Sequence, residues 1–224
     1  MRPTPRVLIL PNTNTLSHLG RAFALAAWLD AEGFETHLAF SAARQEWAAR
    51  YYRRCHVVPE LWEPSGISFP CIQWFGDRDH IEACARSQED VIARVKPDLI
   101  VGIFDFVSAL SAGTIPRLSV NGACMLPAYG GVLGFDDEET PARLEQRALF
   151  KMFWSFAGRT FHPACRRRHL PLPAVANELL EGKLNLIYEI PQVSRLRHAP
   201  SHYRLVGPIE WDEAWRSRET CGIS

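Results

Sequence analysis

The residue best placed to do chemistry in this sequence is a histidine that stands between a strand pattern and a helix pattern. His18 follows the apolar run 7–10, VLIL, and the polar stretch 12–17, and it precedes apolar residues at helical spacing up to Gly33. In an open α/β sheet such a position faces the crevice above the carboxyl ends of the strands, where ligands bind. We therefore expect a reactive imidazole here, although a histidine after Ser17 also suits a simple role at the helix cap.

A second group of possible ligands follows the last long helix pattern. His162, Cys165 and His169 have spacings that could share one helical face and bind zinc, but Pro163 interrupts the group and no fourth ligand is in sight. The basic run 166–168 could contact phosphate or nucleic acid, yet in a neutral chain one short run better suits a solvated helix end. We expect no metal site and no nucleic-acid partner.

The composition is that of an ordinary soluble domain. The chain has 224 residues, 47% of them hydrophobic, and its 25 basic and 25 acidic residues cancel. A chain of this length can bury about 70 to 75% of its unfolded surface, so it needs no disulfide or metal to fold. The apolar run after the N-terminus is too short for a signal peptide, and no stretch approaches the ~18 to 20 apolar residues of a membrane span. Six dispersed cysteines without a CxxC pair favour reduced thiols, and hence a cytoplasmic protein.

Short strand patterns alternate with helix patterns along the chain, which predicts an α/β fold with a Rossmann-like parallel sheet and helices on both faces. The almost continuous apolar run 98–104 is the best candidate for a central strand. The remaining predicted strands are 6–10, 35–40, 56–58, 71–74, 117–120, 184–190 and 203–206. The predicted helices are 19–32, 42–53, 80–96, 107–112, 142–156 and 174–180.

Four segments together resemble the acceptor-binding half of GT-B glycosyltransferases that use nucleotide-diphosphate sugars, such as the glucosyltransferases of macrolides and small lipophilic molecules. Residues 17–26, SHLGRAFALA, are similar to the family's G-H-x-x-P entrance to its first helix, with 30–36, DAEGFET, after it. Residues 96–106, KPDLIVGIFDF, resemble its P-D-L-V-V-x-D-x-F region. Residues 115–121, IPRLSVN, and 203–209, YRLVGPI, resemble its G-(I/V)-P strand and the V-G-P before its second domain. Their order and spacing carry the resemblance more than any single motif.

The resemblance implies an inverting mechanism and the residues for it. A histidine at the position of His18 removes a proton from an acceptor hydroxyl, which then attacks the anomeric carbon of the sugar donor. Asp105 matches the family's carboxylate, which hydrogen-bonds the imidazole, fixes its tautomer and stabilises the imidazolium. This chemistry requires no cofactor or metal. Taken alone, Asp105 before Phe106 and Val107 also suits a helix N-cap, so both roles are open.

We expect residues 1–208 to form one acceptor-binding domain and residues 209–224 to form an irregular tail. The family's donor-binding domain carries a glycine-rich loop whose helix N-terminus meets the diphosphate, and nothing after Gly207 can be that domain. The polar stretch 12–17 also replaces the glycines that related bacterial enzymes have before the histidine.

Two functions fit these expectations. As an enzyme half, the chain would hold a small hydroxylated acceptor and the base, and a nucleotide-diphosphate sugar would bind only with a donor domain on another polypeptide. Alternatively, the chain is a non-catalytic accessory or binding protein derived from a glycosyltransferase. A fragment of a sugar-nucleotide epimerase fits less well, because those enzymes place several carboxylates around the sugar.

Loops at the carboxyl ends of the strands predict the acceptor site. Apolar residues in the turn-rich segment 121–137 favour a lipophilic acceptor. The predicted acceptor-binding residues are Asn12, Thr13, Phe106, Asn121, Met125 and Tyr129.

Overall fold

Seven strands follow one another along the part of the chain that the structure describes. This computed structural model describes residues 3–61, 77–127, 141–190 and 200–210. The strands are β1 (Arg6–Pro11), β2 (Glu35–Phe40), β3 (Cys55–Val57), β4 (Leu99–Ile103), β5 (Arg117–Asn121), β6 (Leu184–Ile187) and β7 (Tyr203–Leu205). The strand predicted at 71–74 and most of the predicted tail lie outside the described residues.

All seven strands pair in parallel, in the order β3-β2-β1-β4-β5-β6-β7. The chain builds outwards from β1 in one direction and then returns to build from β4 in the other. The direction of winding therefore reverses between β1 and β4, and in open α/β sheets this reversal opens a crevice at the carboxyl ends of the strands. The predicted α/β fold with a Rossmann-like parallel sheet is confirmed.

Five α-helices accompany these strands within the described ranges. They are α1 (Leu16–Ala31), α2 (Ala42–Ala48), α3 (Arg78–Val95), α4 (Ser108–Ser111) and α5 (Pro141–Arg167). Helix α1 begins at Leu16 rather than at the predicted Leu19, so it includes His18. Helix α2 ends at Ala48, short of the predicted Arg53, and the helix predicted at 174–180 is a short 3₁₀ helix, Ala176–Leu180.

Helices cover both faces of the sheet, because successive residues of a strand point to opposite sides. On one face Ile9 of β1 belongs to the same buried cluster as Phe23 of α1. On the other face Leu8 of β1 lies in a buried cluster with Val91 of α3. A third cluster joins α3, α4 and α5 and includes the fully buried Phe161. The sheet therefore has an apolar layer on each side.

Helix α5 is longer than the sequence pattern predicts and continues through Pro163 to Arg167, well past the expected end at residue 156. Its second half is held by packing against the rest of the domain. Gly158 allows the segment before the 3₁₀ helix to come close, since a Cβ at this position would lie 3.1 Å from the nitrogen of Ala176. Packing of this half outweighs the hydrogen bond that a proline removes from a helix.

The first half of α5 has a different surface. Leu149, Met152 and Phe156 are exposed, whereas Ala157 and the core positions that follow are buried. Positions three and four residues apart lie on the same side of a helix. The exposed apolar residues therefore form a stripe along one side of this half.

Glu82 of α3 forms ion pairs with three arginines. Arg86 lies on the same helix, and Arg167 and Arg168 lie at the end of α5, so the last two pairs connect the helices. Its carboxylate oxygens lie 3.0 Å from Nε of Arg86, 2.9 Å from Nη2 of Arg167 and 2.8 Å from Nη1 of Arg168. Burial disfavours the charged carboxylate, but the hydrogen bonds from the arginines outweigh it and lower the pKa of Glu82 to about 2. The basic run was expected to be a solvated helix end; its second and third arginines instead belong to an ion cluster.

The described cysteines, Cys55, Cys84 and Cys165, are free thiols. Cys84 and Cys165 are buried in the core between α3 and α5, where burial suits a thiol that acts as a small apolar side chain. Among the described residues, no helix combines the length and the apolar character needed to cross a membrane.

Replacing Glu82 by glutamine should lower the free energy of unfolding by on the order of 2 kcal/mol at pH 7, because charge-assisted hydrogen bonds are lost. The folded-state pKa lies below the ordinary value of 4.5, so this contribution is present above about pH 4.5 and declines as the pH falls towards 2. The difference in free energy of unfolding between wild type and Glu82→Gln should therefore become smaller as the pH falls from about 4.5 towards 2. Urea unfolding at several pH values measures it.

The matched control is Glu46→Gln. Glu46 lies in α2 and forms an exposed ion pair with Arg50, which follows the helix, and the substitution breaks this pair. This change should cost less than about 0.5 kcal/mol. Equal losses in the two variants would contradict a special role for Glu82.

Candidate active site

His18 lies in the first turn of α1, at the edge of the sheet where the strands end, which we call the carboxyl edge. The loop before it is anchored: the N–H of Asn12 donates to the carbonyl of Ile103 (2.9 Å), and the N–H of Asn14 donates to Oδ1 of Asn12 (3.0 Å). The N–H of His18 donates to the carbonyl of Thr15 (3.2 Å). Loop and helix together fix the imidazole beside the end of β4.

The imidazole of His18 is in an apolar environment. Its ring centroid lies 5.3 Å from that of Phe104, with the rings tilted by 39°. Nδ1 is buried and has no hydrogen-bond partner. Burial, with a smaller contribution from the charge of Arg21, lowers the pKa of His18 to about 4, while the backbone of Asn12 acts in the opposite direction. The ring is therefore neutral at pH 7, and its buried Nδ1 makes no hydrogen bond to the described residues.

Phe104, the ring that contacts His18, has an unusual backbone. Its φ of +50° lies in the left-handed region, which costs a non-glycine residue on the order of 1 to 3 kcal/mol. The N–H of Phe104 donates to Oδ1 of Asn121 (3.1 Å), so the end of β5 holds the turn in place. Residues in such conformations cluster at functional sites, and this one sits at the carboxyl edge.

Asp105 faces away from His18, towards α3 and α4. Its carboxylate accepts hydrogen bonds from the N–H groups of Val107 (3.2 Å) and Ser108 (3.0 Å), and from Nε2 of Gln88 (3.3 Å). Asp105 is half-buried, and this burial raises its pKa despite these hydrogen bonds. The structure therefore gives Asp105 the capping role at the start of α4, and it does not join Asp105 to His18 by a hydrogen bond.

Thr13, a predicted acceptor contact, is tied inwards by a carboxylate that the sequence analysis did not single out. Its N–H donates to Oε2 of Glu60 (2.9 Å), its hydroxyl also bonds that oxygen, and the hydroxyl of Ser41 lies 2.9 Å away. Glu60, Thr13 and Ser41 are all buried. Glu60 comes soon after β3 and Ser41 directly after β2, so their positions at strand ends were the signal available in the sequence.

Aromatic side chains line the carboxyl edge next to His18. Ring centroids lie 5.4 Å apart between Phe104 and Phe106 and 6.0 Å apart between Phe106 and Trp154 of α5. We call Phe104, Phe106 and Trp154 the aromatic wall. Met125 is half-buried against the same cluster. Of the predicted acceptor residues, Met125 is thus half-buried against this cluster, whereas Phe106 is fully buried and supports the half-buried rings of Phe104 and Trp154 from behind.

The other three predicted acceptor residues have different outcomes. Asn12 is buried, and its Oδ1 accepts the hydrogen bond from the N–H of Asn14 described above. Asn121 is almost fully buried and supports the backbone of Phe104 through Oδ1, while its Nδ2 donates to the hydroxyl of Ser119 (3.1 Å). Asn121 therefore supports the backbone at the site rather than facing a ligand. Tyr129 lies outside the described residues.

The possible metal ligands do not come together. Nε2 of His162 lies 2.9 Å from the carbonyl oxygen of Pro173, and Cys165 is buried in the core. Among the residues that the structure describes, no group of three or more histidine, cysteine, aspartate or glutamate side chains could hold a metal ion.

Known proteins similar to this chain share both sequence and fold with it. No family model matches the sequence. A rhamnosyltransferase of PGL/p-HBAD biosynthesis from Mycobacterium bovis is 25% identical over 239 residues, and the alignment covers 93% of this chain and 49% of that protein. The chain spans about half the length of the curated relatives it matches.

Solved structures give the same picture. The glycotransferase of kitacinnamycin superposes with a TM-score of 0.63 at 13% identity, covering 92% of this chain and 52% of its own. The calicheamicin glycosyltransferase CalG4 superposes with a TM-score of 0.60 at 12% identity, covering 92% and 53%. This chain has the fold of a GT-B glycosyltransferase. At these identities the similarity shows the fold alone. The superposed region covers about half of each of these solved structures.

Replacing Asp105 by alanine should lower the free energy of unfolding by about 1 to 2 kcal/mol, because the N–H groups at the start of α4 lose their acceptor. Replacement by asparagine should cost much less, since asparagine keeps an accepting oxygen and removes a charge that burial disfavours. Urea unfolding of the two variants measures the difference. Equal damage by both substitutions would show that capping is not what Asp105 contributes.

Proposed function

We propose that this chain is the acceptor-binding domain of an inverting glycosyltransferase that uses nucleotide-diphosphate sugars, with His18 as the general base. The observation that carries the proposal is a neutral imidazole with a buried, unpartnered nitrogen at the carboxyl edge of a GT-B sheet. An open α/β sheet binds its ligands at this edge. The names of the similar proteins, all glycosyltransferases, support the same reaction class.

In the proposed reaction His18 takes the proton of the acceptor hydroxyl as its oxygen attacks the anomeric carbon of the sugar. The bond from that carbon to the diphosphate breaks, and the nucleoside diphosphate leaves with the electron pair. Attack from the face opposite the leaving group inverts the anomeric centre. A positioned base contributes about 10² to 10⁴ in rate to such a step.

The aromatic wall fits a lipophilic acceptor. Apolar pockets with a few polar groups are typical of small-molecule sites, and aromatic rings present large apolar faces to a ligand. Phe104 contacts both the imidazole and the rest of the wall, so an acceptor that packs against the wall would place a hydroxyl near the base. The donor sugar would be held by a separate donor-binding half, and the relatives' name makes activated rhamnose the first donor to test.

One observation favours the alternative, a non-catalytic binding protein. The carboxylate that would orient His18 in a catalytic dyad is used to cap α4. A chain with the acceptor surface but a poorly supported base would bind an acceptor without transferring sugar to it. Activity measurements separate the two functions.

An apolar hydroxylated acceptor, for example a long-chain phenol, should stabilise the chain on its own. With free acceptor at about ten times Kd the gain is about 1.4 kcal/mol. For a protein of this size that gain raises Tm by about 3 to 6 °C. A nucleotide sugar should have a smaller effect.

The variant Met125→Ala should weaken this stabilisation, whereas Leu172→Ala, which trims an exposed leucine away from the wall, should not. Thermal shifts over an acceptor titration give Kd for each protein. An acceptor that stabilises the wild type and the Met125 variant equally would place its site elsewhere.

In a polypeptide that also carries a donor-binding half, His18→Gln should lower kcat by about 10² to 10⁴, because the proton acceptor is lost. The Kd for the acceptor should stay close to that of the wild type. Release of nucleoside diphosphate and appearance of glycosylated acceptor measure the rate. The exposed His202 provides the control variant, His202→Gln, which should retain full activity. A wild-type rate in His18→Gln would remove the proposed mechanism.

A further inference from the structure

Arg21 lies one helical turn after His18 and forms no ion pair with an acidic residue in the ranges that the structure describes. Residues three apart on a helix are neighbours on its surface. The guanidinium carbon of Arg21 lies 3.7 Å from the ring centroid of Tyr188, a cation–π contact that holds the charge in place. Nε of Arg21 is buried without a hydrogen-bond partner, and none of the ion pairs among the described residues includes this arginine.

The segment after β6 brings the platform for Arg21 to the carboxyl edge. Tyr188 follows β6 directly and lies beside Gly122, where a Cβ would be 3.2 Å from the tyrosine hydroxyl. The next residue, Glu189, accepts a hydrogen bond from the N–H of Ala123 through Oε1 (2.8 Å). The glycine thus lets both side chains pack against the end of β5, while the carboxylate does not neutralise the arginine.

Three acidic groups that the structure describes at this edge are each engaged by a neighbour. Asp105 accepts from the start of α4, Glu60 binds Thr13, and Glu189 binds Ala123. Within the described part of the chain, the His18 ring also contacts the uncharged Phe104 and the backbone of Asn12. Arg21 is therefore the charged group that acts on His18.

The start of α1 adds to this positive environment. Thr15, the N-cap residue, makes no side-chain hydrogen bond to the helix, and the first turn contains no acidic residue. Its hydroxyl instead lies 3.0 Å from the hydroxyl of Ser17. The partial positive charge of the helix N-terminus and the charge of Arg21 thus act on the same small region.

This environment has a cost for the proposed mechanism. Burial and the charge of Arg21 both disfavour the imidazolium, and a base with a pKa of about 4 is weak at neutral pH. An anion beside the arginine would reverse the electrostatic part of this effect, since a nearby negative charge favours the protonated form of an imidazole.

We propose that Arg21 and the first turn of α1 bind a phosphoryl anion, and that the charge of this anion favours proton uptake by the neighbouring His18. The inference rests on the proposed function, in which the diphosphate of the sugar donor supplies the anion. The planar guanidinium, with donors in a fixed fork, matches two oxygens of a phosphoryl group. The imidazole would then be a stronger base when the donor is present than when it is absent.

The test is a pH titration of His18 in the chain alone, with the protonation of the ring measured by NMR of labelled histidine. The titration is carried out with and without inorganic pyrophosphate, which stands in for the phosphoryl anion. Without pyrophosphate His18 should titrate near pH 4. With saturating pyrophosphate its pKa should rise by about one unit. Sodium chloride at equal ionic strength should produce a clearly smaller change, because it only screens the charges.

Variants locate the effect. Arg21→Gln should raise the pKa of His18 in the absence of anion and should abolish the response to pyrophosphate. Arg50→Gln, at an exposed arginine on another element, should respond as the wild type does. Amide spectra that match the wild type confirm that each variant is folded.

An equal response in Arg21→Gln and wild type, or an equal effect of pyrophosphate and sodium chloride, would overturn the inference. Failure of this inference is distinguishable from failure of the proposed function. If His18→Gln abolishes transfer but pyrophosphate leaves His18 unchanged, the base stands without its activating anion. If pyrophosphate shifts His18 but His18→Gln retains activity, the anion site stands and the role of the base falls.

Discussion

The left-handed backbone of Phe104 is the constraint on which the arrangement at the carboxyl edge depends. It turns the chain sharply where β4 ends, so that the Phe104 ring meets His18 while the next side chain, Asp105, points towards α4. Asn121 holds this turn through one hydrogen bond to the backbone. The same turn thus gives the imidazole an apolar neighbour and denies it a carboxylate.

The charged and polar groups discussed above differ in whether the protein supplies them with a hydrogen-bond partner. The carboxylate of Glu82 is surrounded by arginines, and Asp105 is surrounded by hydrogen-bond donors, so both buried groups are satisfied inside the protein. Arg21 and His18 differ from these two carboxylates. Nε of Arg21 and Nδ1 of His18 are buried, and neither atom has a hydrogen-bond partner among the described residues. Buried polar groups normally find a partner, so two exceptions on one helical turn point to a ligand.

Much of the fold could be predicted from the sequence, because β1 and β4, at the middle of the sheet, are apolar runs of the kind that a two-sided parallel sheet requires. Strand β2 occupies the predicted residues, and β4 and β5 differ from prediction only at their ends. Helix ends were less predictable: tertiary packing extends α5 through Pro163, and α1 starts before His18 because its N-cap is Thr15.

The site was harder to predict than the fold. Counted from Pro97, the acidic position of the P-D-L-V-V-x-D-x-F pattern falls on Ile103, which is buried inside β4, and Asp105 lies two residues further on. Pattern matching cannot place a carboxylate relative to a backbone turn. The roles of Glu60 and Arg21 depend on contacts across elements far apart in sequence, and no local pattern encodes those contacts.

The length of α5 has a consequence for how the domain opens. A helix of 27 residues is about 40 Å long, roughly twice the length of the strands beneath it. In its N-terminal half the exposed Leu149, Met152 and Phe156 contribute little to holding the helix in place. Local unfolding should start there at far lower free energy than global unfolding, so amide protons before Ala157 should exchange with solvent faster than those after it.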